Sequence, residues 1–376
     1  MDASRMSVRS KKLLFVATED WFVRSHFLPM VERSLAEGYE VVIAAGGTGE
    51  GLEGARFIQV PFARGSLRPA DLVREVSALR DILRQERPDI AHAIALKPIA
   101  LLLLTEGARA RAFAVTGLGY LAIGGKWWTR VALGVLSRAL RSAVSRTRAV
   151  LLVENHTDRR WVENGAPLSE EKVVLLPGAG VDPNHFAPMP EPDGPIVVGV
   201  VARLIRSKGV DLVVEAVQRL RRAGEEIELR IAGAADPDNP ERAFDQEIAR
   251  WREASGVTLL GRVTDIAGFW ARAHIACLAS RGGEGLPRSL LEAAACGRPV
   301  VTTSVPGCAD FIQPGQTGIV VAPDDAAALA DALQTLCQDA ALRRRMGEAG
   351  RARVLSGYTT QHVADVVADA WARLCA

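Results

Sequence analysis

SRGGEGLPRSLLEAAACGRPVV, residues 280–301, packs a glycine turn, two carboxylates and a helix start into 22 positions. Its apolar lead-in, HIACLAS at residues 274–280, reads as a buried strand. Arg281-Gly282-Gly283-Glu284-Gly285 cannot extend that strand, because three glycines remove side chains and admit φ > 0. Pro287 suits the first turn of a helix, where its missing N–H costs nothing. The helix then runs through Ser289 and Ala295 and stops at Gly297, ahead of Pro299. Unpaired N–H groups and the positive end of the dipole at such a start favour an anion. Glu284 and Glu292 stand eight positions apart on this unit, and a carboxylate only accepts hydrogen bonds. A ligand with hydroxyls beside its phosphates satisfies both features, which points to a nucleotide sugar. The plainer alternative is a loop acid and a helix-surface acid on an α/β scaffold.

Working outward, 376 residues give room for two domains, each with its own core. A 48% hydrophobic and 24% charged composition is that of a soluble globular protein, and a net charge of +2 gives no footprint for nucleic acid. Basic residues do gather at 101–150, where eight Lys and Arg face Glu106 alone. The five cysteines, Cys277, Cys296, Cys308, Cys337 and Cys375, show neither C-x-x-C nor metal spacing, which predicts reduced thiols and a cytoplasmic protein. Six scattered histidines predict no metal site. Residues 1–12 form a short basic tail, and the LLFVA run after it is too short for a signal peptide or a membrane span. Residues 94–104, IALKPIALLLL, contain Lys97 and Pro98 and read as a buried helix.

Strand 13–18, helix 28–37 and strand 40–45 form a βαβ unit and predict a parallel sheet, with residues 19–27 as a loop. That loop carries Glu19-Asp20-Trp21 where a dinucleotide-binding domain needs G-x-G-x-x-G, which argues against an oxidoreductase. Strands at 57–60, 90–93, 112–115, 149–153 and 172–176 complete one doubly wound domain. PNHFAPMPEPDGP, residues 183–195, holds five prolines and reads as a linker. Strands at 196–201, 228–232, 257–260, 275–278, 300–303 and 318–321 alternate with helices in a second domain. The predicted organisation is residues 1–185, residues 196–355 and a last helix within 356–376. Ligands of such sheets bind at the carboxyl ends of strands, in a cleft between the domains.

RLIRSKG, residues 203–209, follows the first strand of the second domain. Arg203 by a planar fork and Lys208 as a point charge oppose a diphosphate well; a solvated basic loop is the alternative. With these cations, E-G-L-P-x-x-x-L-E-A-x-A-x-G-x-P-V-V from Glu284 resembles the donor-site signature of retaining glycosyltransferases of family 4. The resemblance implies an α/β GT-B fold: two doubly wound Rossmann-like domains facing across a cleft, the last helix crossing back to the first. It also implies that Arg203 and Lys208 hold the diphosphate, Glu284 the transferred sugar and Glu292 the ribose hydroxyls. Gly285, Leu286 and Pro287 form the helix start, Gly233 ends a strand at the ligand edge, and Arg262 belongs to the segment that reads the base. Thr116 and Gly117 stand where many members place a histidine against the donor sugar, and Gly282-Gly283 replace bulkier residues, which suggests a roomier pocket. The implied activity is retaining, metal-independent transfer of a hexosyl or N-acetylhexosaminyl group. UDP is the commonest donor nucleotide; the nucleotide sugar is a substrate, so no cofactor is implied.

On the first domain, Trp21, Arg24, Ser25 and His26 lie on the loop after the first strand, and His92, Lys97 and the turn 116–120 face the same edge. The combination resembles a subgroup of family 4 that extends lipid-linked saccharides for bacterial exopolysaccharide, O-antigen and glycoprotein glycans. Trp21, Arg24, His26, His92 and Lys97 then bind the acceptor, and Arg24 or Lys97 takes the diphosphate of an undecaprenyl-linked saccharide. Residues 124–150 pair Trp127 and Trp128 with recurring cations, which suits either the inner face of an anionic membrane or a core helix with a solvated basic face. Two rivals share the same residues: an NDP-sugar 2-epimerase of GT-B fold and a non-catalytic nucleotide-sugar-binding protein.

Overall fold

Strand β1 (Lys12–Glu19) buries five consecutive apolar side chains, the pattern of a strand covered on both faces. The computed structural model describes residues 10–63, 66, 68–119, 127–236, 239, 242, 243 and 245–375. Around β1 lie β2 (Glu40–Gly46), β3 (Arg56–Gln59), β4 (Ile90–Ile94), β5 (Ala110–Val115), β6 (Ala149–Val153) and β7 (Val173–Leu175). They pair in parallel in the order β3-β2-β1-β4-β5-β6-β7. The second sheet holds β8 (Ile196–Val201), β9 (Ile227–Ala232), β10 (Val257–Gly261), β11 (Ile275–Leu278), β12 (Val300–Thr303) and β13 (Gly318–Val321). Its order is β10-β9-β8-β11-β12-β13, again parallel. These are two doubly wound domains of GT-B architecture. Strand order reverses between β1 and β4 and between β8 and β11, the crevices where such sheets bind ligands.

The helix Thr360–Cys375 returns to the first sheet, where Val363, Val367 and Trp371 join Leu13 and Phe15 in one core. The linker is irregular but anchored: the buried Arg298 donates to the Pro190 carbonyl, Arg343 clasps Glu191 at 2.9 Å and His274 meets the Pro192 carbonyl.

Two expectations are corrected here. Residues 19–27 are not a loop: Asp20–Phe22 is helical and Val23–Phe27 forms a π-helical turn that runs into the helix Leu28–Ala36. Trp, Phe, Val, Ser and His have weak helix propensity, but burial of Val23 and Phe27 against the sheet overrides it. His92 does not face the acceptor edge. It sits at the centre of β4, fully buried among the rings of Phe15 (5.3 Å), Phe27 (5.8 Å) and Trp371 (5.7 Å). Burial pushes its pKa down to about 3, so it is neutral, and among the described residues neither ring nitrogen has a partner. Replacing an unpaired buried polar group by an apolar one of similar size is close to neutral. His92→Leu is therefore expected to keep the melting temperature and the acceptor KM of the parent, measured by thermal unfolding and by acceptor titration. Residues 1–9, Tyr120, residues 124–126, Pro237, Asp238 and Pro240, on which expectations from the sequence also fall, lie outside the described residues.

Candidate active site between the two domains

Two loops of the second domain are zipped together at its switch point. Gly209 has φ +62, and a Cβ there would fall 1.9 Å from the Ala279 carbonyl oxygen, so only glycine lets the loop after β8 lie against the end of β11. Arg281 N–H donates to the Ser207 carbonyl at 2.8 Å, and its guanidinium reaches Asp211 at 2.7 Å. The result is one compact ion pair: Lys208 Nζ lies 2.8 and 2.7 Å from the two oxygens of Glu284. Ser280 Oγ donates to the same carboxylate at 2.7 Å, a partner the sequence did not reveal. Arg203 stands nearer solvent, bound to Asp236 at 2.7 Å. Gly233 packs onto the Ala202 carbonyl beside it, and Arg262 is exposed beyond the end of β10. Glu292 is buried in the helix Arg288–Ala295; burial raises its pKa to about 7, opposed by Arg288, whose Nε is 2.8 Å away.

The first domain closes directly on this loop. A Cβ on Gly117 would meet Gly285 N at 2.5 Å, and Gly119 N–H donates to the Gly283 carbonyl at 3.1 Å. From the end of β6, Glu154 accepts from Leu286 N–H at 2.7 Å and Asn155 donates to the Glu284 carbonyl at 3.2 Å. Asn155 also caps the helix His156–Glu163 by accepting from Asp158 N–H at 2.7 Å. Burial pushes Glu154 up to about 8 and Asp158 up to about 7. Thr116 and Gly117 are thus brought against Gly283, Glu284 and Gly285 of the other domain. Glu154, Asn155, Asp158 and Arg288 were missed. Asn155 and Asp158 carried a cap signal in N-x-x-D, but nothing local marks Glu154.

The π turn after β1 presents His26 to the cleft. Its Nδ1 lies 2.6 Å from Ser25 Oγ, its ring stacks on Phe22 at 4.4 Å, and Arg288 of the second domain donates to the Ser25 carbonyl. His26 is held at about 3 by burial first, then by the facing charges of Arg288, Lys208 and Arg203, so it is neutral at physiological pH. Trp21 is partly exposed beside it, while Arg24 pairs with Asp20 and donates to the Glu50 carbonyl. Lys97 is a second correction on the acceptor side. Its ammonium is spent on the Ala63 and Ser66 carbonyls and on Glu75 at 2.8 Å, with Glu75 fully buried, so it pins a loop instead of facing the cleft.

Away from the cleft, the helix Trp127–Arg146 has one buried and one exposed face. Thr129, Leu133, Ser137, Leu140 and Val144 are buried, whereas Trp127 is 76% exposed, Val131 57% and Val135 63%, beside the exposed Arg130 and Arg138. No helix among the described residues is long and apolar enough to cross a membrane.

Residues 12–147 match the family described as Glycosyl transferase 4-like, and residues 195–339 match Glycosyl transferases group 1. An exopolysaccharide phosphotransferase of Streptomyces coelicolor is 31% identical over 60% of this chain, of which the chain spans 23%. The capsular polysaccharide biosynthesis glycosyltransferase CapM of Staphylococcus aureus is 27% identical over 44% of the chain, which spans 43% of it. The chain therefore covers less than half the length of either curated relative. The solved structure of HepE from Anabaena with UDP-glucose superposes with a TM-score of 0.75 at 15% identity, covering 96% of this chain and 99% of that one. On a GT-B fold, residues 12–147 and 195–339 of this chain thus resemble two glycosyl transferase families, 4-like and group 1.

Proposed function

We propose that the chain is a retaining, metal-independent glycosyltransferase that moves a sugar from a nucleotide sugar, with UDP the first choice of base carrier, to a saccharide on undecaprenyl diphosphate in bacterial surface polysaccharide synthesis. The observation that carries this reading is the Lys208–Glu284 pair beneath a glycine turn at the domain interface. A nucleotide sugar divides that pair: the diphosphate takes Lys208 and Arg203, and a sugar hydroxyl takes Glu284. As the bond to the diphosphate breaks, negative charge grows on the phosphate beside two fixed cations and the helix start at Leu286 and Pro287, which lowers the barrier without a metal. Glu292 receives the ribose hydroxyls, while Gly233 and Arg262 line the path to the base. The acceptor enters along Trp21, Arg24 and His26, and its hydroxyl passes its proton to the leaving phosphate as it attacks the face of the sugar that this phosphate occupied. HepE with UDP-glucose and CapM support donor class and pathway by likeness.

The exposed Trp127, Trp128, Val131 and Val135 with flanking arginines suit peripheral attachment to the cytoplasmic leaflet, where a lipid-linked acceptor is found. The test is transfer and hydrolysis with a panel of UDP- and GDP-sugars, with and without a lipid-diphosphate saccharide, in anionic and neutral vesicles. Acceptor-dependent nucleotide release, faster on anionic vesicles and abolished in Glu284→Ala, is the expected result. Donor binding without turnover overturns the transferase, and acceptor-free isomerisation of the sugar identifies an epimerase instead.

A further inference from the structure

The 283–287 loop of the second domain takes its shape from side chains of the first. Gly282, with φ +135, and Gly283, with φ +73, leave the backbone free to adopt several conformations. Leu286 N–H precedes the helix Arg288–Ala295 and has no partner inside it. Glu154 supplies that partner at 2.7 Å, and Asn155 holds the carbonyl two residues earlier at 3.2 Å. Between these anchors lies Gly285, where a Cβ would fall 2.1 Å from Glu154 Oε2 and 3.0 Å from the Thr116 carbonyl carbon. The loop is flexible by composition and fixed by contact.

We infer that Glu154 is a positioning residue that gives the donor loop its binding shape only when the two domains close. The inference rests on the reading of that loop as the donor site. It makes closure a condition of donor binding, with the first domain shaping a loop that belongs to the second.

The chemistry around Glu154 sets the conditions. Its carboxyl is desolvated and faces Asp158 on its own domain and Glu284 on the loop, the latter already paired with Lys208. The closed form therefore holds the carboxyl protonated to about pH 8, and a protonated carboxyl keeps an oxygen to accept from Leu286. With the domains apart it returns to water and to an ordinary value near 4.5. Between those values the open form is ionised and the closed form is not, so rising pH favours opening. The contact contributes fully below the lower value and is lost as pH rises toward the upper one.

Hydrogen exchange at the Leu286 amide in the full-length protein, corrected for intrinsic exchange, tests this at pH 6 and pH 8.5 alongside donor KM. In the parent, protection is expected to fall by about two orders of magnitude at the higher pH, because the proton that the closed form holds at pH 6 is mostly lost at pH 8.5. Glu154→Gln, which keeps an accepting oxygen and cannot ionise, should protect at both and show only the smaller pH dependence that Asp158 leaves. Glu154→Ala should lose protection at both and raise donor KM about tenfold with a smaller change in kcat. Unchanged protection in Glu154→Ala, or a Gln variant as impaired as Ala, overturns the inference. A parent that transfers no sugar overturns the proposed function instead, while the exchange data still decide the role of Glu154.

Discussion

Lys208→Met is expected to leave a folded protein whose sugar transfer falls by about 10²–10³-fold, the usual cost of removing one preorganised charge from a leaving group. The backbone that carries Lys208 is fixed independently of its side chain, through Gly209 against Ala279 and Ser207 against Arg281. What the substitution strands is Glu284. Only 11% of that side chain is exposed, and among the described residues Ser280 would remain as its side-chain donor. An unpaired carboxylate there costs about 1–3 kcal/mol of stability. A second change separates stability from chemistry: Lys208→Met with Glu284→Gln removes both charges and should regain most of the lost melting temperature. It should regain no transfer, since neither the cation for the diphosphate nor the carboxylate for the sugar is present. Thermal unfolding and initial rates on the same samples read the two effects. A Lys208→Met enzyme that transfers sugar at the parental rate would remove Lys208 from the mechanism.

The parts of this fold that were legible in the sequence share one physical cause. Strands β8, β11, β12 and β13 fall at 196–201, 275–278, 300–303 and 318–321 because buried parallel strands are short apolar runs ended by Gly, Pro or charge. The glycine turn and helix start after β11 were legible for the same local reason. Residues 19–27 failed because a π turn has no compositional mark; Val23 and Phe27 form it only once a sheet is there to bury them. His92 and Lys97 failed in another way. Both lie near the right sheet edge in sequence, yet whether a residue points to solvent, core or a neighbouring loop depends on the helix Thr360–Cys375 and on Glu75, which lie elsewhere in the chain. Glu154 was invisible for the complementary reason. It looks like any polar residue after a strand until a loop from the other domain brings Leu286 to it.

Gly117→Ala and Gly119→Ala should behave differently although they place the same methyl group two residues apart. Both glycines have positive φ, +97 and +60, so each substitution carries a backbone cost of about 1–2 kcal/mol. A Cβ on Gly119 meets nothing within 4 Å among the described residues. A Cβ on Gly117 would fall 2.5 Å from Gly285 N, 2.7 Å from the Gly283 oxygen and 2.8 Å from the Glu284 carbonyl carbon. These are backbone atoms that cannot rotate away, and they belong to the other domain. The first domain can therefore accept the methyl group only by standing off from the second, which also pulls Glu154 from Leu286 and Asn155 from Glu284. Displacement of about 1 Å in a reacting assembly costs on the order of 10²-fold in rate. Gly117→Ala is expected to lose transfer by that factor and to show a larger radius of gyration in small-angle scattering. Gly119→Ala should lower the melting temperature by a few degrees and keep transfer within about twofold of the parent. Equal transfer by the two variants would show that the Gly117–Gly285 apposition is not required for turnover; loss in both would place the effect in backbone strain. Only a difference between them assigns the function of Gly117 to contact between the domains.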